Sequence, residues 1–173
     1  MIFVSKSPKE TQVFAAQIAG KVMKMTSKKA IVLALEGELG AGKTTFIQGF
    51  AKALKVKTKV KSPTFNLMKA HKITYSSRLR RGFGGQAKLK SPAYAKASAG
   101  GQNFRNLYHI DCYRLKDHKD LIPLDIDEIL KASDNIVLIE WSDRVKEILP
   151  KGHITIHFDH ISETTRKITI TSK

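Results

Sequence analysis

Residues 31–45 read Ile-Val-Leu-Ala-Leu-Glu-Gly-Glu-Leu-Gly-Ala-Gly-Lys-Thr-Thr, and no other stretch of the chain constrains the fold as strongly. The first five residues are apolar and form a run that is typical of a buried strand. The pattern G-x-x-x-x-G-K-T follows, with its fixed positions at Gly37, Gly42, Lys43 and Thr44. Glycines at both ends allow the backbone to fold around an anion with its N–H groups directed inward. The stretch therefore predicts a strand that leads into a phosphate-binding loop.

The loop and the residues after it predict contacts with a nucleotide. The residues expected to surround its phosphates are Glu38, Leu39, Gly40, Ala41, Gly42, Lys43, Thr44 and Thr45. Lys43 would reach the terminal phosphates, and the hydroxyl of Thr44 would hold a magnesium ion. Residues 43–54 have the apolar spacing of a helix, whose positive dipole end would lie under the phosphates. The alternative is a tight glycine turn with a solvated lysine, and the flanking strand and helix count against it.

The composition indicates a single cytoplasmic domain. The 173 residues suffice for one core, so residues 1–173 are predicted to form one domain. No apolar run reaches the roughly 20 residues that cross a bilayer, and residues 1–6 show no signal-peptide pattern. The single cysteine, Cys112, excludes an internal disulfide and is typical of a reducing compartment. We therefore expect a cytoplasmic protein without a membrane partner.

The charge of the chain is large, positive and uneven. The net charge is +16, and no acidic residue occurs between Glu38 and Asp111. Such a block favours a polyanionic partner, most obviously RNA. No base-reading motif accompanies it, however, so a basic loop on a nucleotide-binding protein is the simpler interpretation. Direct contact with nucleic acid stays open on this evidence.

Alternating and continuous apolar runs predict an α/β fold. Strands are expected at residues 2–4, 66–70, 107–115, 135–141, 154–158 and 167–171, besides the strand at 31–35. Helical patterns separate several of them, which is typical of a sheet with helices on its faces. We predict a three-layer P-loop domain with a mostly parallel central sheet and a C-terminal antiparallel strand pair.

Three further helical segments are predicted from capping residues and apolar spacing. The first should begin after Ser7-Pro8, and its buried face would carry Phe14, Ile18, Val22 and Met25. A short helix pair is expected within residues 121–130. Ser142 is expected to cap a last helix, which would run to Leu149 and stop at Pro150.

Residues 71–106 depart from this pattern. They contain five glycines and eight Lys or Arg but no acid, and small residues recur with little to bury. Sequences of this composition do not usually order on their own in water. We interpret the segment as a flexible, basic, low-complexity insertion into the domain.

A phosphate loop needs a further acid to complete a magnesium site and to position a water molecule. Glu140 follows four aliphatic residues and precedes a helix start, which is the usual position of that acid in P-loop proteins. Asp111 also ends a short apolar strand, although pairing with Arg114 would explain it nearly as well. His109 lies in the same strand and is interpreted as structural.

Four segments together resemble one bacterial family. They are Gly37-Glu-Leu-Gly-Ala-Gly-Lys-Thr-Thr45, Ser62-Pro-Thr-Phe65, Leu107-Tyr-His-Ile-Asp-Cys-Tyr-Arg-Leu115 and Ile139-Glu-Trp141. In this order they are similar to the TsaE (YjeE) ATPases, which support the synthesis of threonylcarbamoyladenosine, a tRNA modification beside the anticodon. The resemblance covers most of the chain except residues 71–106.

The resemblance implies an ATPase with ATP or ADP and Mg²⁺ as cofactors. Family members bind the TsaB–TsaD heterodimer, and their nucleotide cycle allows that enzyme to turn over. A contact with tRNA would be direct or through this complex. By motif, Lys43 would hold phosphates, Thr44 would hold the metal, and Glu140 would support the metal and the attacking water. Asp111 would also lie near the metal, so the implied catalytic residues are Glu140, Lys43 and Asp111.

The resemblance implies roles for three other positions, of which Thr11 matches more weakly. Thr64 would lie in a mobile Ser-Pro-Thr segment that senses the terminal phosphate, and Trp141 would lie beside the active site. Thr11, in the first helix, would lie near the nucleotide base. All three are expected to contribute to nucleotide binding.

The insertion is the main departure from the family, which joins the two flanking strands by a short turn. We expect residues 72–104 to be dispensable for ATP hydrolysis; an added affinity for tRNA is the alternative. Two other functions also stay open, a P-loop kinase for a small molecule and a basic RNA-binding module with a vestigial P-loop.

Overall fold

The computed structural model describes residues 1–63, 66–74 and 102–172. The strands are β1 (Ile2–Ser5), β2 (Ile31–Gly37), β3 (Met68–Lys72), β4 (Asn106–Asp111), β5 (Asn135–Glu140), β6 (Ile154–His160) and β7 (Arg166–Ser172). The α-helices are α1 (Pro8–Val22), α2 (Lys43–Ala53) and α3 (Ile126–Lys131). Short 3₁₀ segments occupy His118–Leu124, Ser142–Arg144 and Lys146–Ile148.

The seven strands form one mixed sheet in the order β1-β7-β6-β2-β5-β4-β3. The four central strands, β6, β2, β5 and β4, run parallel. At the sides, β3 pairs antiparallel with β4, β7 with β6, and β1 with β7. The predicted parallel arrangement thus holds at the centre of the sheet, and the predicted C-terminal antiparallel pair is confirmed as β6 and β7.

Helices cover both faces of the central strands. Alternate side chains of a strand point to opposite faces, so Leu33 and Leu138 pack with α1 and α2 while Val32 and Val137 pack with α3. Burial on both faces explains why β2 and β5 appear in the sequence as unbroken apolar runs. Because these strands run parallel, the carboxyl ends of β2, β5 and β4 lie together at one end of the sheet.

Helix α1 follows its predicted pattern with one exception. The hydroxyl of Ser7 caps the helix by accepting a hydrogen bond from the backbone N–H of Glu10 at 3.2 Å. The ring of Phe14 is buried and stacks on Phe3 with 4.1 Å between ring centroids. The prediction for Met25 is wrong, because the helix ends at Val22 and Met25 is 40% exposed.

The helix predicted from Ser142 to Leu149 is also wrong. The segment forms two separate 3₁₀ turns, and the Ser142 side chain makes no capping hydrogen bond. Val145 is the cause: its side chain is fully buried while its backbone leaves helical geometry, with φ −135° and ψ 36°. Packing of one apolar side chain therefore overrides the local helical pattern.

The predicted insertion is shorter at both ends than the range 71–106. His71 and Lys72 belong to β3, and Phe104 is buried in the core. The N–H of Ile73 donates to the carbonyl of Arg105 at 2.9 Å, so the two ends of the segment are adjacent. Residues 75–101 lie outside the described residues.

The insertion joins the sheet at the amino-terminal end of β4, whereas the phosphate-binding loop lies at the carboxyl ends of the parallel strands. It connects the end of β3 to the start of β4, and Asn106 at that start pairs with Asn135 at the start of β5. Asp111 and Glu140 stand at the other ends of the same two strands. A strand of this length separates the two ends of the sheet by roughly 17 Å.

Candidate phosphate-binding site

The predicted phosphate loop has backbone geometry that glycine permits. Gly37, Gly40 and Gly42 have φ values of 133°, 76° and 100°, and α2 begins directly after Gly42. A Cβ atom at Gly37 would lie 2.5 Å from the carbonyl oxygen of Phe158 in β6. The first glycine is therefore required both by its dihedral angle and by the close approach of a neighbouring strand.

Lys43 is buried at the start of α2 and points back into the loop. Its Nζ donates to the carbonyls of Gly37 and Glu38 at 2.6 Å and 2.9 Å, and it lies 3.9 Å from the ring centroid of Trp141. Burial lowers the pKa of Lys43, while the carboxylates of Glu140 and Asp111 act in the opposite direction. The nearest contacts of the ammonium are thus neutral groups inside a loop shaped for an anion.

Thr44, Glu140 and His109 form a buried chain of hydrogen bonds. The hydroxyl of Thr44 lies 3.0 Å and 3.1 Å from the two carboxylate oxygens of Glu140. The Nε2 atom of His109 lies 2.7 Å from Oε1 of the same carboxylate. Glu140 is 3% exposed and His109 is fully buried. The strand-end acid expected from the sequence therefore lies beside the threonine of the loop.

His109 is a site residue that sequence reasoning placed in the core. Its position in an apolar, alternating strand gave no sign of a polar partner. Because β4 and β5 are parallel neighbours, His109 in β4 reaches Glu140 at the end of β5. The contact depends on strand order, which a single sequence does not specify.

Asp111 lies at the same edge as Glu140, directly opposite it in the β4–β5 register. Its carboxylate accepts hydrogen bonds from the hydroxyl of Ser62 and from the backbone N–H of Tyr113, the latter at 3.0 Å. The bond from Ser62 fixes the start of the Ser-Pro-Thr segment against the site. Thr64 itself lies outside the described residues.

Trp141 closes one side of the site. Its backbone is in the left-handed region, with φ 59°, and its ring lies 5.0 Å from that of Tyr113. The guanidinium of Arg144 lies 5.8 Å from the Trp141 ring. The tryptophan is therefore located between the buried Lys43 and a surface arginine.

Arg166 is a second residue that the sequence did not reveal. Its guanidinium donates to the carbonyl of Gly40 at 3.2 Å and to the carbonyl of Ser162 at 2.7 Å. The side chain thus joins the β6–β7 turn to the phosphate loop. The sequence did not indicate this role, because an arginine at the start of a C-terminal strand is usually an ordinary surface residue.

The remaining predicted nucleotide contacts are placed less centrally. Thr11 is buried at the start of α1, where its hydroxyl shares a 2.8 Å hydrogen bond with Ser5. Leu39, at the outer part of the loop, is 74% exposed. The nucleotide contacts expected for Thr11 and Leu39 stay predictions.

The donor set at the edge suits magnesium better than zinc. Among the described residues there is no group of three or more His, Cys, Asp or Glu side chains arranged to hold a metal. The hydroxyl of Thr44 and the carboxylates of Glu140 and Asp111 are hard oxygen donors. Mg²⁺ is usually held by one or two such carboxylates together with substrate phosphates, so these three residues fit that ion.

Comparison with known proteins gives the family. A family model described as threonylcarbamoyl adenosine biosynthesis protein TsaE matches residues 5–79 and 70–168. The chain belongs to the TsaE family. The resemblance drawn from the four motifs is thereby confirmed, and the family's role is in tRNA threonylcarbamoyladenosine biosynthesis.

Individual TsaE proteins match along nearly the whole chain. The TsaE of Bacillus subtilis is 30% identical over 166 residues, with coverage of 96% of this chain and 82% of the relative. The TsaE of Treponema pallidum is 28% identical, with coverage of 96% and 97%. The crystal structure of Bacillus subtilis YdiB has a TM-score of 0.65 and 27% identity, with coverage of 99% and 84%. This solved structure thus shares the α/β fold described above.

The described helices give no indication of a membrane span. None of the helices described above has the length and apolar composition that crossing a bilayer requires.

Proposed function

We propose that this chain is a magnesium-dependent ATPase that supports threonylcarbamoyladenosine formation on tRNA. The proposal rests on the contact between Thr44 and Glu140, in which the loop hydroxyl and a buried strand-end carboxylate meet at 3.0 Å. Nucleotide-bound magnesium requires oxygen ligands of this kind next to the phosphate loop. Family membership supplies the process in which hydrolysis would be used.

Each side chain of the site would have a definite task in hydrolysis. The loop N–H groups and Lys43 would stabilise charge on the transferred phosphoryl group. Thr44 and Glu140 would hold magnesium, which when bound neutralises phosphate charge. Glu140 would also orient the attacking water, and Asp111 would supply a further carboxylate at the same edge. His109 would keep the Glu140 carboxylate in one orientation.

The isolated protein should hydrolyse ATP slowly. The two arginines described beside the loop are both engaged, Arg144 near the Trp141 ring and Arg166 on backbone carbonyls. An arginine that stabilises the transition state accelerates phosphoryl transfer by about 10³-fold or more. We therefore propose that the TsaB–TsaD heterodimer binds this chain and promotes its nucleotide cycle.

The substitution Glu140→Gln tests the ATPase assignment. It removes the carboxylate charge while retaining the size of the side chain, so nucleotide binding should persist and phosphate release should fall by roughly 100-fold or more. Both quantities are measured, one with a fluorescent ATP analogue and the other with a phosphate assay. Glu128→Gln on α3 is the matched control, since Glu128 pairs only with Lys131 among the described ion pairs. An undiminished rate for Glu140→Gln would contradict the assignment.

The same assays separate the two alternative functions. A small-molecule kinase would consume ATP only when an acceptor is added, and the product would carry the phosphate. An RNA-binding module with a vestigial loop would show no nucleotide affinity, and Lys43→Ala would leave its RNA binding unchanged.

A further inference from the structure

The connector between α2 and β3 presents its lysines to solvent. Val56 packs against the core and Val60 is buried, while the exposed Thr58 shares a hydrogen bond with Nδ1 of His71 at 2.7 Å. The residues between them are exposed lysines. Together with one exposed lysine of the last α2 turn they form what we call the basic ridge, which consists of Lys52, Lys55, Lys57, Lys59 and Lys61.

The basic ridge borders a groove and lies beside the edge strand of the sheet. The groove, of about 200 Å³, is located between α2 and the connector, and Lys52 and Lys59 both line it. The hydroxyl of Thr74, two residues after β3, donates to the carbonyl of Lys55, so the ridge also contacts the segment that follows β3. Lys72 in β3 adds a further exposed positive charge there. The ridge thus adjoins both α2 and the edge strand β3.

No acidic side chain compensates this surface from its own segment. The sequence has no Asp or Glu from residue 39 to residue 110, which includes α2, the connector and β3. A dense set of like charges repels itself, and its stabilisation by a polyanion releases counterions from that partner. The charge distribution therefore favours a partner with many closely spaced negative groups.

We propose that the basic ridge is an RNA-binding surface that contacts the phosphate backbone of tRNA without reading its bases; the choice of tRNA rests on the proposed function. Interfaces with proteins are depleted in lysine and enriched in aromatic residues, Met and Arg, and none of the large exposed apolar side chains of the described residues lies between 52 and 61. The absence of aromatic side chains from the ridge also argues against base stacking. Lysines that reach phosphates give affinity and position but carry no sequence information.

The test measures binding of a fluorescently labelled tRNA transcript over a range of salt concentrations. The ridge variant carries Lys52→Gln, Lys57→Gln and Lys59→Gln. The matched control carries Lys119→Gln, Lys146→Gln and Lys151→Gln, which removes the same charge from exposed lysines on the acid-containing part of the chain. Thermal unfolding verifies that both variants fold, and the single substitution Lys57→Glu provides a second ridge variant that perturbs the surface less.

The ridge variant should bind tRNA at least roughly tenfold more weakly at low salt, and its log–log salt slope should be shallower by about two to three. The control should match the parent protein. Equal losses in both triple variants would show diffuse electrostatics and overturn the proposal, as would no loss in either. Unchanged tRNA binding with weaker binding to purified TsaB–TsaD heterodimer would reassign the ridge to a protein partner. ATP hydrolysis is measured in parallel: a parent protein that hydrolyses no ATP would contradict the proposed function, whereas the ridge is decided by tRNA binding alone.

Discussion

At the scale of single residues, the carboxylate of Glu140 connects the phosphate loop to the sheet. It accepts from Thr44 on one side and contacts His109 on the other. Its position at the end of an apolar strand made Glu140 a candidate from the sequence, and the structure places it beside Thr44. His109 could not be identified in this way, because a histidine inside an alternating strand is usually a core residue and its partner comes from another strand.

His109→Gln should lower ATP hydrolysis by about 10-fold or more while nucleotide affinity is kept. Glutamine cannot hold the Glu140 carboxylate as the buried imidazole does, and residues that orient a ligand typically contribute this much. The measurement is kcat together with the Mg²⁺ concentration at half-maximal rate. His71→Gln is the control, since His71 is a buried histidine of the neighbouring strand that bonds Thr58 instead. Equal effects of the two substitutions would indicate a general loss of packing.

Gly37→Ala should destabilise the fold by about 2 kcal/mol or more, because the new methyl group meets the Phe158 carbonyl and the backbone is already left-handed. Gly40→Ala keeps the dihedral strain but meets no atom within 4 Å, so it should cost only about 1 kcal/mol. Urea unfolding of both variants measures the difference. Equal free energies of unfolding would show that the contact with β6 is unimportant.

Arg166→Ala should weaken nucleotide binding, since the side chain fixes the outer part of the phosphate loop to the β6–β7 turn. The lost hydrogen bonds correspond to about 1 kcal/mol, or roughly a fivefold increase in the dissociation constant. Isothermal titration with ATP gives this value directly. Lys167→Ala is the neighbouring control, because Lys167 pairs with Asp159 and not with the loop. A dissociation constant for Arg166→Ala equal to that of the control would exclude the proposed coupling.

At the scale of secondary-structure elements, β2, α2 and β5 agree with the sequence because local pattern and tertiary environment favour the same structure. Runs such as residues 31–35 are apolar on every side, as a doubly covered strand requires. The 142–149 segment differs, since burial of Val145 interrupts a helix that local spacing favoured. β3 is shifted by two residues from its predicted position, which composition alone could not resolve.

The segment at residues 71–106, which we interpret as an insertion, provides the sharpest prediction for an element. Replacing residues 75–101 by a two-residue turn should preserve ATP hydrolysis, because Ile73 and Arg105 already hydrogen bond at the end of the β3–β4 pair. Deleting residues 72–104 instead removes the buried Phe104 and should cost about 3 kcal/mol or more. Phosphate release and thermal unfolding are compared for both deletions. A folded but inactive 75–101 variant would contradict dispensability.

At the scale of the whole molecule, the basic ridge leads along the chain to the candidate phosphate-binding site. The site lies at the carboxyl ends of β2, β4 and β5. The basic ridge follows the connector after α2, passes His71 in β3 and ends at Lys61, next to Ser62, whose hydroxyl bonds Asp111 at the site. The sequence revealed both features, since one is a motif and the other a composition. It could not show how they are placed relative to each other, because that placement follows from the strand order.

The rate of phosphate release from Mg²⁺–ATP, with and without purified TsaB–TsaD heterodimer, tests the central claim most directly. The parent protein should hydrolyse ATP slowly alone and faster when the heterodimer is added, and Glu140→Gln should remain near background in both conditions. A parent protein that binds ATP but releases no phosphate in either condition, or a Glu140→Gln variant as fast as the parent, would contradict it.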